Sequence, residues 1–447
     1  EKVGVTVNPT LWDFYATGAG KDYTRANGGT VSTASATTAE VPWDVYTDDV
    51  KSSVAQYGDA AIVTLSRVGG EGADLSYGEV NYLALDDNEK SMLENLDSMK
   101  KNGEIKSIIV LINSANALQV DFLKNNDYDV DAALWIGDVG ISGINAVAQI
   151  LVGDVNPSGS LVDTYCYDNY SAPAMWNFTP SVYDGYVEGG DVPAKGSTYM
   201  IYQEGIYVGY KYYETRYEDY VMGAGNAGDY AYGDIVAYPF GYGLSYTDFK
   251  FSDMTVNYND ALDVYTVAVK VTNTGAVAGK RTVQLYVQSP YTDYDKQNGV
   301  EKAAVALVGF GKTGELAPGT SEIVTMNVNK RDIASYDTYG AGTYILDAGD
   351  YYFTAANDAH EAVNNILAAK GYTVASTNGK MTADGDADLT YAWTEDKLDT
   401  TTYSVSENGT AITNQLSCAD PNLYDGENNT VTWLSRSDWD GTLPTET

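Results

Sequence analysis

Apolar positions in the first part of the chain fall into short uninterrupted runs, separated by stretches with helical spacing. AAIVTL at 60–65 is such a run, and it breaks into the glycine-rich SRVGGEGADL. Asp86 and Asp87 are suited to cap the helix that follows, because a short carboxylate accepts the free N–H groups of a first turn. That helix carries Met92, Leu93, Leu96 and Met99 on one face, and Gly103 closes it. A second apolar run, IIVLIN within 106–114, and a third, DAALWIG at 131–137, come next. Ser142 is the expected cap of a further helix through Ala146, Val147, Ile150 and Leu151, stopped by Gly153 and Pro157. Continuous apolar strands alternating with helices predict an α/β region, a mainly parallel sheet covered on both faces.

The period then changes. Residues 160–247 are loop-rich and dense in Tyr and Gly, ending in YPFGYGLSYTDF. From about 248 the apolar positions alternate: Tyr265, Val267, Val269 and Val271 against Thr266, Ala268, Lys270 and Thr272, then Val283, Leu285 and Val287 against Thr282, Gln284, Tyr286 and Gln288. Turns at Asn273-Thr274-Gly275 and Pro318-Gly319, with strands expected at 321–328 and 342–355, complete an antiparallel all-β sandwich. The tail holds one helix, at about 359–370, and otherwise polar, irregular segments. The expected domains are therefore 1–247, 248–355 and a tail, 356–447.

Charge narrows the partners. Of 447 residues, 26 are Lys or Arg and 62 Asp or Glu, a formal net charge of −36. That sign argues against nucleic acid and anionic membrane surfaces, which are held by releasing their counterions to basic groups. No apolar run approaches the ~20 residues of a membrane span. Cys166 and Cys418 have no metal-ligand spacing, and the single His360 excludes a His-rich site, so neither metal nor cofactor is expected. His360 is the one base open to a serine-type hydrolase; it lies in the helical AHEAVNNILAAKG, where a surface or capping role suffices. Thirty-nine tyrosines and strong acidity resemble the composition of secreted bacterial proteins and lead to an extracellular or cell-surface expectation.

Chemistry is concentrated at SRVGGEGADL. The loop follows the carboxyl end of a parallel strand, where open α/β sheets place ligand contacts. It sets Glu71 among glycines, with Arg67 and Asp74 on either side. A phosphate-binding reading fails, because the loop lacks the spacing of a dinucleotide or nucleotide fingerprint and Glu71 would repel the phosphate. A surface turn with Glu71 solvated and paired to Arg67 is the plain alternative.

SRVGGEGADL, DAALWIGDVGISGINAVAQILVGDVNPSGSLVDTY, EGIYVGYKYYE and YPFGYGLSYTDF together resemble glycoside hydrolase family 3, the β-glucosidase and β-xylosidase family. VTNTGAVAGKRTVQLYVQSP, VGFGKTGELAPGTSEIVTM and DIASYD resemble its fibronectin type III-like domain. NNILAAKGYT and VTWLSRSDWDG are similar to the subgroup in which these two domains precede the catalytic barrel. The resemblance implies a retaining glycosidase. An Asp nucleophile comes from an (α/β)₈ barrel and the acid/base Glu from the loop, here Glu71. Arg67 and Asp74 are implied either in contact with a sugar hydroxyl or in fixing the loop by pairing with each other.

No series of eight strand-helix units occurs, so the sequence reads as a contiguous piece of a longer enzyme, acting on an oligosaccharide or β-glycoside with a barrel domain or chain as its partner. On that reading this chain alone is inactive. Ser437-Asp438-Trp439 imitates a nucleophile motif but lacks the preceding barrel units, and it reads as a lookalike. Trp176 and Tyr202 are expected in packing rather than sugar stacking, and Tyr238 to Gly243 in packing two domains together. A non-catalytic glycan-binding or cell-surface scaffold module is the alternative function, and the sequence leaves room for a homo-oligomer.

Overall fold

A computed structural model describes residues 4–24, 37–69, 75, 81–137, 139–176, 181–182, 198–420, 422 and 431–444. They form two compact units, the first of residues 1–156 with 165–168 and the second of 157–164 with 169–447.

In the first unit, β1 (Ala61–Ser66), β2 (Ile108–Asn113) and β3 (Ala132–Trp135) form a parallel sheet in the order β1-β2-β3. The pairing sets Ala61 opposite Ile108 and Ile109 opposite Ala132. Helix α1 (Asp87–Lys101) connects the first two strands. Its start is fixed by a reciprocal capping box: the Asp86 carboxylate accepts from the Glu89 N–H, and the Glu89 carboxylate accepts from the Asp86 N–H. Met92, Leu93, Leu96 and Met99 are buried, as their spacing requires, and so are Val63, Leu65, Ile108, Val110 and Ile112 of the sheet.

Full coverage of both sheet faces does not occur among the described residues. On β1, buried Val63 and Leu65 alternate with Ile62, which is 49% exposed. Helix α2 (Gly140–Leu151) begins two residues before Ser142 and buries only Val147, leaving Ile141 95% exposed.

The second unit is a β-sandwich with helices attached. One antiparallel sheet has β4 (Phe249–Asn259), β5 (Val264–Asn273) and β8 (Ser321–Asn329), with β5 central. The other has β6 (Thr282–Gln288) and β9 (Gly349–Ala356) as inner strands, flanked by β7 (Ala306–Lys312) and β10 (Thr390–Glu395). Val267, Val269, Val271, Val283, Leu285 and Phe353 meet in one core, as period-two burial predicts. Each such side chain contributes roughly 1.5–3 kcal/mol by leaving water.

By contacts, residues 169–247 group with the sandwich rather than with the parallel sheet. The expected tail helix is present as α4 (Ala359–Ala369), which buries Ala362, Val363, Ile366 and Leu367 beside β9, and the tail also supplies a strand that was not expected, β10, the fourth strand of a sandwich sheet. Helix α3 (Tyr210–Met222) carries the Tyr-rich segment, and eight of its thirteen residues are buried. YPFGYG packs within this unit: Phe240 stacks on Tyr210 at 4.6 Å between ring centres, and Gln284 Nε2 donates to the Gly241 carbonyl at 3.0 Å.

Candidate active site

The carboxyl edge of the parallel sheet holds the described ends of the candidate loop. Arg67 follows β1 directly, and its side chain is wholly buried against Glu89. The two groups pair in parallel, Nη1 to Oε1 at 2.8 Å and Nη2 to Oε2 at 2.7 Å. The remaining guanidinium donors go to backbone carbonyls: Nε to Tyr82, Nη1 to Ser66 at 3.0 Å and Nη2 to Ala84 at 2.7 Å. All five N–H groups of Arg67 are thus used, and none is left for a sugar hydroxyl. Asp74 and Glu71 lie outside the described residues.

Arg67 therefore acts as a clamp on the loop's base. It joins the end of β1 to carbonyls 15 and 17 residues later, and the Val68 N–H donates to the Tyr82 hydroxyl at 3.0 Å, tightening the same neck. Gly69 lies so close to Asn116 that a Cβ would sit 2.8 Å from its Oδ1. Across the sheet edge, Asn113 Nδ2 donates to Ser66 Oγ at 3.0 Å, and the Trp135 indole donates to the Ser114 carbonyl at 2.9 Å. A loop leaving this edge starts and returns on fixed backbone, which is what a carboxylate needs if it must reach one atom of a substrate repeatedly.

In the second unit, Asp438 is a helix cap. It accepts from the Gly441 N–H of the short helix Trp439–Thr442 and from Asn226 Nδ2 at 2.7 Å. His360 lies between Glu214 (Nδ1 to Oε2, 2.8 Å) and Thr382 (Nε2 to Oγ1, 2.6 Å), stacked on Tyr232. That order of groups is the order of a hydrolytic triad. However, the Thr382 N–H is taken by the Tyr217 hydroxyl, and Oγ1 also receives Asn364 Nδ2, so the group serves as a structural tie. Trp176 and Tyr202 are 41% and 66% exposed, so dense packing does not account for them. Cys166 is buried and Cys418 exposed, and they form no disulfide with each other. Among the described residues no group of three His, Cys, Asp or Glu side chains is placed to hold a metal, and no helix is long and apolar enough to cross a membrane.

Sequence reasoning missed a buried ionic cluster around Arg436. Its guanidinium meets Asp219 Oδ1 at 2.6 Å and Glu218 Oε2 at 3.2 Å, and Glu218 also meets Lys370 at 2.8 Å. The Trp439 indole donates to Asp219 at 2.8 Å. The signal was present as adjacent acids in YKYYETRYEDY and one Arg in the tail, but nothing local relates positions 217 residues apart.

Residues 14–210 match the family model of the glycosyl hydrolase family 3 C-terminal domain, and residues 281–359 match that of the fibronectin type III-like domain. The chain carries a family 3 C-terminal domain and a fibronectin type III-like domain. The family 3 match includes the whole SRVGGEGADL loop and both partners of its clamp, Arg67 and Glu89. A β-glucosidase of Ruminococcus albus is 33% identical over 327 residues, covering 72% of this chain and 29% of that protein. An exo-α-(1→6)-L-arabinopyranosidase of Bifidobacterium breve is 30% identical over 287 residues, covering 63% of this chain and 32% of that one. Among solved structures, a β-glucosidase from Paenibacillus barengoltzii superposes with a TM-score of 0.62 at 31% identity, over 79% of this chain and 34% of its own. This family 3 chain thus spans about a third of the length of these relatives.

Proposed function

We propose that this chain supplies the acid/base carboxylate, Glu71, of a retaining β-glycosidase whose nucleophile comes from a barrel domain outside these 447 residues. The observation that carries the reading is the family 3 match over the SRVGGEGADL loop, set on a strand end whose base Arg67 clamps. The β-glucosidase relatives point to a β-glucoside as substrate; a β-xyloside is the second member of the same class.

Retention needs two carboxylates ~5 Å apart. One attacks the anomeric carbon while the other protonates the leaving oxygen, and the second then deprotonates the water that releases the sugar. The acid must hold its proton at working pH, which requires an environment poor in positive charge. Commitment of Arg67 to Glu89 supports that role, because the nearest cation in the sequence of the loop is already neutralised. The composition is consistent with action outside the cell, on glycosides encountered there.

Glu71→Gln in the complete enzyme tests the assignment. Turnover of an alkyl β-glucoside should fall by ~10²–10⁴, while an aryl glucoside with a good leaving group, which needs no proton, should suffer far less in its first step. Azide should restore turnover of the aryl substrate by replacing the water Glu71 would activate. Unchanged kinetics on the alkyl substrate would remove Glu71 from the mechanism.

A further inference from the structure

The second unit contains a cleft of about 990 Å³, every lining residue of which lies between Gly205 and Ser435. Its size is at the upper end of the ~300–1,000 Å³ of small-molecule sites. Three aromatic rings line it: Tyr336, Tyr339 and Trp433. Tyr339 is 45% exposed, yet its hydroxyl is fixed by donation to Asp420 Oδ2 at 2.9 Å, so the ring is held while its surface stays open. Tyr336 is fixed in the same manner, its hydroxyl donating to the Gly342 carbonyl at 3.1 Å and its ring edge-on to Tyr344. The Trp433 indole nitrogen is closed off from water and lies beside the Tyr339 hydroxyl, so the two aromatic side chains support one another.

The polar lining is mixed in sign. Lys211 has no carboxylate partner among the described residues, and Asn298 spends Nδ2 on the Tyr294 carbonyl while its Oδ1 accepts nothing there. Lys302, also in the lining, is neutralised by Asp295 and Asp347. Glu301 accepts from the Tyr207 hydroxyl and the Arg436 N–H. Lys296, also in the lining, pairs with Asp293, so among the described lining residues a phosphate or polyanion would find one ammonium without a carboxylate, in a chain of net charge −36, and a fully apolar ligand would strand these polar groups. Flat apolar rings interleaved with single donors and acceptors match a ligand with apolar C–H faces and an equatorial fringe of hydroxyls.

We propose that this cleft binds a neutral pyranose oligosaccharide, stacked on Tyr339 and Trp433. The identity of the ligand class rests on the glycosidase reading; the cleft's geometry and polarity do not. Isothermal calorimetry of the 447-residue chain with cellotetraose and laminaritetraose tests it. Saturable binding of one of them is expected, weakened about tenfold by Tyr339→Ala and severalfold by Trp433→Ala, each of which removes a stacking ring. Trp12→Ala, at an exposed site of the first unit, should leave it unchanged, and thermal melting verifies that each variant is folded. Absence of saturable binding, binding indifferent to both cleft substitutions, or preference for a neutral tetrapeptide over either sugar would overturn the proposal. Glu71→Gln kinetics are read separately in the complete enzyme, so an empty cleft with an impaired Glu71 variant sinks this inference alone. Bound sugar in the cleft with an unimpaired Glu71 variant sinks only the catalytic assignment.

Discussion

Arg67 joins two short stretches of sequence that each looked self-sufficient. SRVGGEGADL suggested a pair between Arg67 and a carboxylate of its own loop, Glu71 or Asp74, whereas the observed partner is Glu89, 22 residues on. Glu89 was legible only as a helix N-terminal residue three positions after Asp86. Its second bond, to a strand end, follows from the sheet's topology and leaves no periodic trace. The buried pair has a definite consequence. Arg67→Met strands the Glu89 carboxylate among carbonyls and apolar side chains and should lower the unfolding free energy by ~3–5 kcal/mol, whereas Arg67→Met with Glu89→Leu should recover much of it. Urea unfolding of the unaltered chain and both variants measures this, and a loss in the double variant no smaller than in the single would contradict it.

At the scale of elements, alternation made β5, β6 and β8 readable, because one face of each strand enters a continuous core. β10 was not readable, since TYAWTE offers Trp393 as its main apolar contribution and lies beyond a helix and a polar stretch. The segment 431–443 was equally opaque, and it proves to be a latch. Trp439, fully buried, sits 4.8 Å from Tyr207, its N–H donates to the Gly225 carbonyl at 2.8 Å, and the Leu434 N–H donates to the Gln203 carbonyl at 2.8 Å. Gly225 is required there: its φ is +65°, and a Cβ would lie 2.2 Å from the Arg436 carbonyl oxygen. Trp439→Ala should cost ~3–5 kcal/mol and expose the bonds around 434–439 to protease. Cleavage no faster than in the unaltered chain would contradict the latch.

The same cluster predicts a pH dependence. Burial opposes ionisation of Glu218, but Lys370 and Arg436 outweigh it and hold the carboxyl below its ordinary value. Stability from this group is therefore complete above the unfolded pKa of ~4.3 and is lost as pH falls through the lower folded value. Burial raises Asp219, only partly offset by Arg436, so its contribution has the opposite sign: present below its unfolded pKa and lost as pH rises through the folded one. Glu218→Gln should flatten the acid limb of a stability profile between about pH 5 and 3. An unchanged limb would show that Glu218 is not the group responsible.

For the whole molecule, the change of hydrophobic period separated an α/β region from a β-sandwich, and both are present. By contacts the division falls earlier than 247, because the Tyr-rich loops carry no periodic signal and group with α3 and the sandwich. The sandwich also extends on both sides of the matched residues 281–359, from β4 at Phe249 to β10 at Glu395. With about a third of its relatives' length, the chain holds one proposed catalytic carboxylate, and its Asp438 caps a short helix. One acid/base group contributes ~10²–10⁴ of a glycosidase's rate, and the positioned nucleophile and ring-distorting pocket supply the larger part. The most direct test is an aryl β-glucoside assayed with the purified 447-residue chain, alone and with the barrel polypeptide added. The account predicts no turnover above buffer for the chain alone and turnover on mixing. Robust hydrolysis by the chain alone, abolished by Asp438→Ala, would contradict it.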